Sequence, residues 1–328
     1  MKVAVIGATG FIGRHLAETC AGRGDSVTAL VRSSEGRELL ERKGISTVLG
    51  ALDDEKALIE VCSGADVVFN LAGALGKWGN TGSDLEFVNT RAAGFVVICA
   101  SLAGARRVVH ASTAGVSGPL PDGFDAAESN EPHPVSDYQQ TKYAGEKAAL
   151  SAFEKGGIEL VITRPAFVYG PGDTHKLSLF RAIAARKMIL VNGGRSRLHP
   201  VFVTDAVDGL LAATERAPGR GEVYIIAGEQ PASTRELHHL IAESVGVSET
   251  TCSLPSNLLL GVAAVAEVIG KAAGKEPPLT RSKVKLFSEN YAYKIDKAVS
   301  ELQFKPRVSL SDGIARTVDW YKSHGLLR

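Results

Sequence analysis

Tyr138 and Lys142 stand four residues apart, with Thr113 upstream of both. A tyrosine hydroxyl can give or take the proton that accompanies hydride movement at an alcohol or ketone, but an ordinary pKa of about 10 makes it a poor base at neutral pH. A neighbouring ammonium lowers that pKa by stabilising the phenolate. The same spacing recurs in Tyr143 with Lys147 and in Tyr293 with Lys297, so spacing alone does not select a pair. The elements that carry these residues have to select it.

Short apolar, β-branched runs predict strands at Lys2 to Ile6, Ser26 to Val31, Ser46 to Leu49, Asp66 to Asn70, Arg107 to Ala111 and Glu159 to Thr163. Helical patterns fall between them, at about Phe11 to Gly22, Asp54 to Cys62, Glu86 to Ala103 and Ser136 to Lys155. Strands that are apolar on both faces and separated by helices mean a parallel sheet covered on both sides, a doubly wound α/β fold. Ser136 followed by Gln139 reads as a capping box, which sets Tyr138 and Lys142 in the first turns of one helix and on one face. After Arg164 the rhythm changes. Pro165, Gly170, Pro171 and Gly172 mark a loop, and helices then dominate apart from short strands near Val201 and over Glu222 to Ile226, read as returning to the main sheet.

Gly7-Ala8-Thr9-Gly10-Phe11-Ile12-Gly13 follows the first strand and opens the first helix. A glycine-rich turn lets the backbone approach a pyrophosphate, and the helix N-terminus adds amide donors and a favourable dipole, so a dinucleotide is expected here. NAD binders usually end the second strand with an acid that accepts from the ribose hydroxyls. This chain has Val31, Arg32, Ser33 and Ser34 instead, and a guanidinium with hydroxyls fits a 2′-phosphate better than a diol. NADP(H) is therefore favoured over NAD(H). Residues 1–170, with 196–227 returning, are expected to form the dinucleotide-binding domain, and 171–195 with 228–328 a smaller, mostly helical substrate lobe.

The formal net charge of the 328 residues is +1 with both signs interspersed, which argues against a nucleic-acid partner. The first strand pattern begins at once without a secretory leader, which predicts a cytoplasmic protein. The four cysteines lack paired spacing and read as reduced thiols, and the eight histidines form no metal motif. His238 and His239 are expected at the surface. The apolar run Leu258 to Ile269 contains Glu267 and is too short to span a bilayer, leaving a packed helix, an apolar pocket wall or a peripheral membrane contact.

With the glycine turn, Thr113 and Tyr138-x-x-x-Lys142 in hand, the chain resembles the extended short-chain dehydrogenase/reductase superfamily over nearly its whole length. The likeness includes Asn70-Leu71-Ala72-Gly73, Val88-Asn89-Thr90, Ser112-Thr113, Tyr143, Glu146, Arg164-Pro165-Ala166 and Tyr169-Gly170-Pro171-Gly172-Asp173. It implies a Rossmann domain in which Lys142 binds the nicotinamide ribose and keeps Tyr138 acidic, Tyr138 exchanges the proton and Thr113 bonds the reacting oxygen. It also implies a cofactor site comprising Gly7, Thr9, Gly10, Phe11, Ile12, Gly13, Arg32, Ser33, Leu52, Leu71, Ala72, Gly73, Asn89, Ser112, Tyr138, Lys142, Pro165, Ala166 and Val168. The alignment favours Tyr138 over the other two tyrosines. Gly50-Ala51-Leu52 departs from the family by lacking its adenine-binding aspartate. Leu198 stands where relatives that act on nucleotide sugars often carry an arginine, although Arg195 and Arg197 are close by.

The last lobe, with Pro277 to Arg281, Tyr293, Lys297, Pro306, Gly313 and Trp320-Tyr321, resembles the 3β-hydroxysteroid dehydrogenase-like and dihydroflavonol-reductase-like branches. That resemblance implies an oxidoreductase interconverting a hydroxyl and a ketone on a bulky apolar small-molecule substrate, sterol-, flavonoid- or acyl-like. A nucleotide-sugar epimerase, dehydratase or reductase is the alternative within the superfamily, and a non-catalytic NADP sensor or scaffold the alternative outside it. The helices at Glu86 to Ala103 and Ser136 to Lys155 are expected to form a homodimer interface. His199 is a candidate substrate contact, and Trp78 a candidate lid.

Overall fold

A computed structural model of the chain describes residues 1–76, 82–250 and 252–327. Trp78 lies outside them. The first half alternates as expected: β1 (Lys2–Ile6), α1 (Phe11–Gly22), β2 (Ser26–Val31), α2 (Ser34–Glu41), β3 (Ser46–Leu49), α3 (Glu55–Cys62), β4 (Val67–Asn70), α4 (Gly82–Glu86), α5 (Ala92–Leu102), β5 (Arg107–Ala111), α6 (Asp137–Gly156) and β6 (Glu159–Pro165). The second half comprises β7 (Phe167–Tyr169), α7 (Leu177–Ala184), β8 (Leu190–Val191), β9 (Arg197–Leu198), β10 (Pro200–Phe202), α8 (Val203–Arg216), β11 (Arg220–Ile226), β12 (Ala232–Ser233), α9 (Thr234–Val245), β13 (Ser253–Leu254), α10 (Ser256–Ala273), α11 (Arg281–Ser288), α12 (Asp296–Leu302) and α13 (Leu310–Ser323).

Among the described residues, seven parallel strands form the main sheet in the order β11-β6-β5-β4-β1-β2-β3. Successive side chains on a strand face opposite sides, and here both sides are covered. Val3 and Val5 join Leu16, Ala29, Phe69 and Leu210 in one core, while Ala4 and Ile6 join Leu58, Val68, Val97 and Leu160 in the other. From β1 the chain winds outward to β3, then returns to β4 and winds the other way. Ligands of such sheets sit at that reversal, outside the carboxyl ends of β1 and β4.

Several expectations need correction. β10, carrying Val201, pairs with β7 rather than with the main sheet, because β11 already fills the place beside β6. Pro165 ends β6 instead of opening a loop, and it is accommodated because it is the strand's last residue. The helix expected over Glu86 to Ala103 is interrupted by a π-helical turn at Phe87–Arg91, centred on Asn89. α2 was not legible as a helix, although Ser33 caps it by accepting from the Gly36 N–H at 3.2 Å. α12 is the outlier in the last lobe: Ala298, Leu302 and the following Phe304 pack into the first core of the main sheet. A further core joins Tyr169 and Leu198, from the ranges expected in the dinucleotide-binding domain, to Phe180, Ile241, Ile314 and Tyr321.

Candidate active site

β5 ends at Ala111, and Ser112 and Thr113 follow where the chain leaves the sheet. Thr113 caps the short turn Ala114–Ser117, its Oγ1 accepting from the Gly115 N–H at 3.2 Å. The capping box of α6 is present: Ser136 Oγ accepts from the Gln139 N–H at 3.3 Å, and Gln139 Oε1 accepts from the Ser136 N–H at 3.2 Å. That start places Tyr138 in the first turn of α6, with its hydroxyl hydrogen-bonded to Thr113. One turn later Lys142 is buried, and its Nζ donates to the Ala111 carbonyl at 2.6 Å. Thr113, Tyr138 and Lys142 therefore converge at the carboxyl end of β5.

The other two Tyr-Lys pairs are put to different uses. Lys147 lies over the Tyr143 ring, 4.8 Å from its centroid, and is itself exposed. Lys297 donates to the Val223 carbonyl at 2.9 Å and lies over Tyr224, while Tyr293 is buried and stacked on His199.

The loop after β4 forms a second wall. A Cβ on Gly73 would lie 3.9 Å from Lys142 Nζ, and one on Gly76 would lie 3.7 Å from Tyr138 Cβ. Asn89 holds this loop, its Oδ1 accepting from the Ala74 N–H at 2.8 Å and its Nδ2 donating to the Ala74 carbonyl at 2.9 Å. Nδ2 also donates to Thr141 Oγ1 at 3.1 Å. The expected cofactor residue Asn89 thus ties loop and α6 together through its side-chain amide, and the π turn is what aims it inward.

Electrostatics follow from burial. Tyr138 as a residue is only partly buried, yet desolvation pushes its phenol up to about 12, with the Thr113 hydrogen bond pulling the other way. The direction is opposite to the one expected from a neighbouring ammonium. Burial lowers Lys142 to about 8, against the favourable field of Glu146. Glu146 is itself locked to Arg164 in a buried two-point pair, with Nε to Oε1 at 2.9 Å and Nη2 to Oε2 at 2.7 Å. Beside them His110 is fully buried and held neutral, well below its ordinary value, by desolvation and then by Lys142. Residue types alone did not reveal that Glu146 and Arg164 act as a unit, because sequence places them 18 residues apart.

The glycine turn fits a pyrophosphate. Gly7 has a φ of +90°, and a Cβ there would lie 2.8 Å from the backbone of Leu71 and Ala72. A Cβ on Gly13 would lie 2.1 Å from the Gly7 carbonyl oxygen, so α1 starts in direct contact with the turn. Gly10 caps α1 without a side-chain bond, and Thr9 and Gly10 are open to solvent, so the amide end of the helix is accessible to an anion. Phe11 and Ile12 pack with Val168. Ser112 Oγ is buried with no partner among the described residues, an open bonding position one residue after the Ala111 carbonyl that Lys142 binds. Leu52 is half-buried, Pro165 is buried at its strand end, and Ala166 donates its N–H to the Ile226 carbonyl at 2.9 Å.

At the end of β2, Arg32 is exposed and forms no ion pair among the described residues. A Cβ on Gly36 would lie 3.1 Å from Thr9 Cγ2, which brings the N-terminus of α2, with Ser33, beside the glycine turn. Other candidates take structural roles. His199 is buried, with Nε2 at 2.9 Å from the Gly228 carbonyl and Nδ1 at 3.2 Å from the Tyr293 N–H. Burial lowers it to about 4, so it stays neutral. His238 is buried rather than on the surface, while His239 is exposed against Glu249. Leu198 is buried in the core it shares with Tyr169, Ile241 and Tyr321, and Arg197 is held by Asp125 at 2.8 Å.

The sequence profile of the NAD dependent epimerase/dehydratase family matches residues 3–227. The chain is 32% identical over 324 residues to the 4-hydroxy-2-methyl-3-oxo-4-farnesyl-3,4-dihydroquinoline-1-oxide ketoreductase of Stigmatella aurantiaca, covering 96% of this chain and 95% of that protein. It is 26% identical over 345 residues to 3beta-hydroxysteroid-dehydrogenase/decarboxylase isoform 1 of Arabidopsis thaliana, covering 96% and 78% of the two chains. The fold matches that of UDP-glucuronic acid 4-epimerase from Bacillus cereus in complex with NAD, with a TM-score of 0.79, 23% identity and full coverage of both chains. The chain belongs to the NAD dependent epimerase/dehydratase family, and so to the enzymes of the extended short-chain dehydrogenase/reductase type.

Proposed function

We propose that the protein is an NADPH-dependent reductase of a ketone on a bulky apolar molecule. The observation that carries this reading is the convergence of Thr113, Tyr138 and Lys142 at the carboxyl end of β5, with the Tyr138 hydroxyl bonded to Thr113. A phenol that keeps its proton at neutral pH is suited to donate it to an oxygen that gains charge. A bound nicotinamide supplies the hydride. Thr113 orients the carbonyl, Tyr138 Oη delivers the proton to its oxygen, and the Lys142 ammonium, bonded to the Ala111 carbonyl, would hold a nicotinamide ribose and stabilise the phenolate left behind. Glu146, paired with Arg164, favours the charged form of Lys142.

The NADPH preference rests on Arg32 and Ser33 beside the glycine turn, with an arginine rather than an acid directly after β2. The apolar substrate class rests on the farnesyl-bearing and steroid substrates named for the two relatives, and on the engagement of Arg197 by Asp125, which removes a cation that a nucleotide diphosphate would need. Residues 171–195 and 228–328 supply most of the substrate side. We further propose a homodimer through α5 and α6. Val96, Val97 and Ala149 are buried in the sheet's core, but Ile98 and Leu102 face outward one turn apart.

The test is NADPH oxidation, followed by its nicotinamide absorbance, with sterol, acyl and flavonoid ketones set against nucleotide sugars. Turnover with an apolar ketone is expected, with NADPH preferred to NADH and the preference reduced about tenfold or more in Arg32→Asp through loss of a charged hydrogen bond. Epimerisation of a nucleotide sugar without net cofactor oxidation would sink the proposal.

A further inference from the structure

α10 inverts the usual polarity of a surface helix. Its inner side packs Leu259 and Ala263 against Val191 and Val284, and its one acid, Glu267, is bound there by Arg281 through the backbone N–H and Nε, both at 2.8 Å. The outer side carries Leu258, Val262, Val265, Val268 and Ile269, which are 54%, 51%, 62%, 68% and 64% exposed. Positions 258, 262, 265 and 269 form one stripe at helical spacing, and Gly261 and Ala272 on the same side are exposed too. A soluble helix places its polar residues on that side. The neighbouring segment is basic: residues 256–288 carry Lys271, Lys275, Arg281, Lys283 and Lys285 against Glu267 and Glu276, a net +3 in a chain whose total is +1. Both acids are paired, with Arg281 and Lys283, which leaves Lys271, Lys275 and Lys285 without an ion pair among the described residues.

We propose that the outer face of α10 docks on an anionic lipid surface, the helix lying in the plane of the interface with its cations at the headgroups. The helix does not cross the bilayer, since its inner face is committed to β8 and α11 and to the Glu267–Arg281 pair. An apolar stripe flanked by unpaired cations has the two features that bind such surfaces, apolar area and attraction to anionic headgroups. A second copy is the poorer occupant. A two-fold contact through α10 would bring the basic segments of both copies together, and five outward aliphatic side chains fall short of the roughly 20–30 residues a side of a stable dimer.

The full chain is tested by co-sedimentation with vesicles of phosphatidylcholine plus phosphatidylglycerol and with phosphatidylcholine alone. Binding to the anionic vesicles is expected, weakening as salt rises. Val265→Asp with Ile269→Asp should lose binding by about tenfold or more per side chain withdrawn from the lipid. Its melting should stay unchanged, because both side chains are exposed on the face of α10 turned away from Val191 and Val284. Lys271→Glu with Lys275→Glu should lose the preference for anionic vesicles. The proposal is overturned if the unaltered protein sediments with neither vesicle, if the two aspartates leave binding intact, or if they convert a dimer to a monomer in light scattering.

Discussion

Around Lys142 the protein buries charge, whereas along α10 it exposes aliphatic side chains. Lys142, Glu146 and Arg164 are all buried at the base of the site beside a neutral His110, and Leu258, Val262, Val265, Val268 and Ile269 all face outward. Each arrangement runs against the partition that folding favours. The buried charges are tolerated because Glu146 and Arg164 pair at two points and Lys142 donates to the Ala111 carbonyl, and their environment shifts Lys142 and Tyr138 in opposite directions. The exposed stripe has no such internal compensation and is resolved only by something outside the chain. A departure from the ordinary partition marks a working part in both places, but the first is complete within the molecule and the second needs a partner.

The largest effect should come from Tyr138→Phe. Removing the proton donor is expected to lower kcat by about 10²–10⁴ with the thermal midpoint unchanged, and near-normal turnover of the true substrate would break the assignment. Next in size is the contrast in stability between the two regions. Arg164→Ala leaves Glu146 charged and unpaired in the interior and should cost about 3–5 kcal/mol in urea unfolding. Val265→Asp should change stability by no more than about 0.5 kcal/mol, as exposed substitutions do. Equal losses at the two positions would mean that α10 is packed in solution.

The smallest effect is on pH dependence. Lys142, lowered to about 8, loses its proton as pH rises through that value, so reduction should fall about tenfold per unit above it, while Tyr138 at about 12 keeps its own. Stability should move the other way. Between about 8 and the ordinary lysine value the unfolded chain binds the proton and the folded one does not, so this group's contribution rises with pH in that window. Lys142→Arg, which stays charged, should lose the descending limb of the rate profile.

Much of the site was legible because its parts are local. The glycine turn is one stretch joining a strand to a helix, and the capping box at Ser136 fixes where α6 starts and hence where Tyr138 and Lys142 point. Other features depended on residues far apart in the chain. Asn89 could be read as a motif residue, but not as the clamp on Ala74 and Thr141, because that role needs a π turn and two other segments. The outward stripe of α10 was hidden for the same reason: periodicity shows that one face is apolar, not which side the rest of the lobe covers.

From its sequence alone this chain specified the doubly wound sheet, the glycine turn and the capped helix start that sets Tyr138 and Lys142 on one face, since each follows from patterns a few residues long. Only the tertiary structure decided that burial raises the Tyr138 phenol, that Glu146 and Arg164 pair in the interior, that β10 leaves the main sheet for β7, and that α10 turns its apolar side outward. Desolvation and burial belong to the packed assembly of distant segments, and no local spacing encodes which surfaces that assembly will cover.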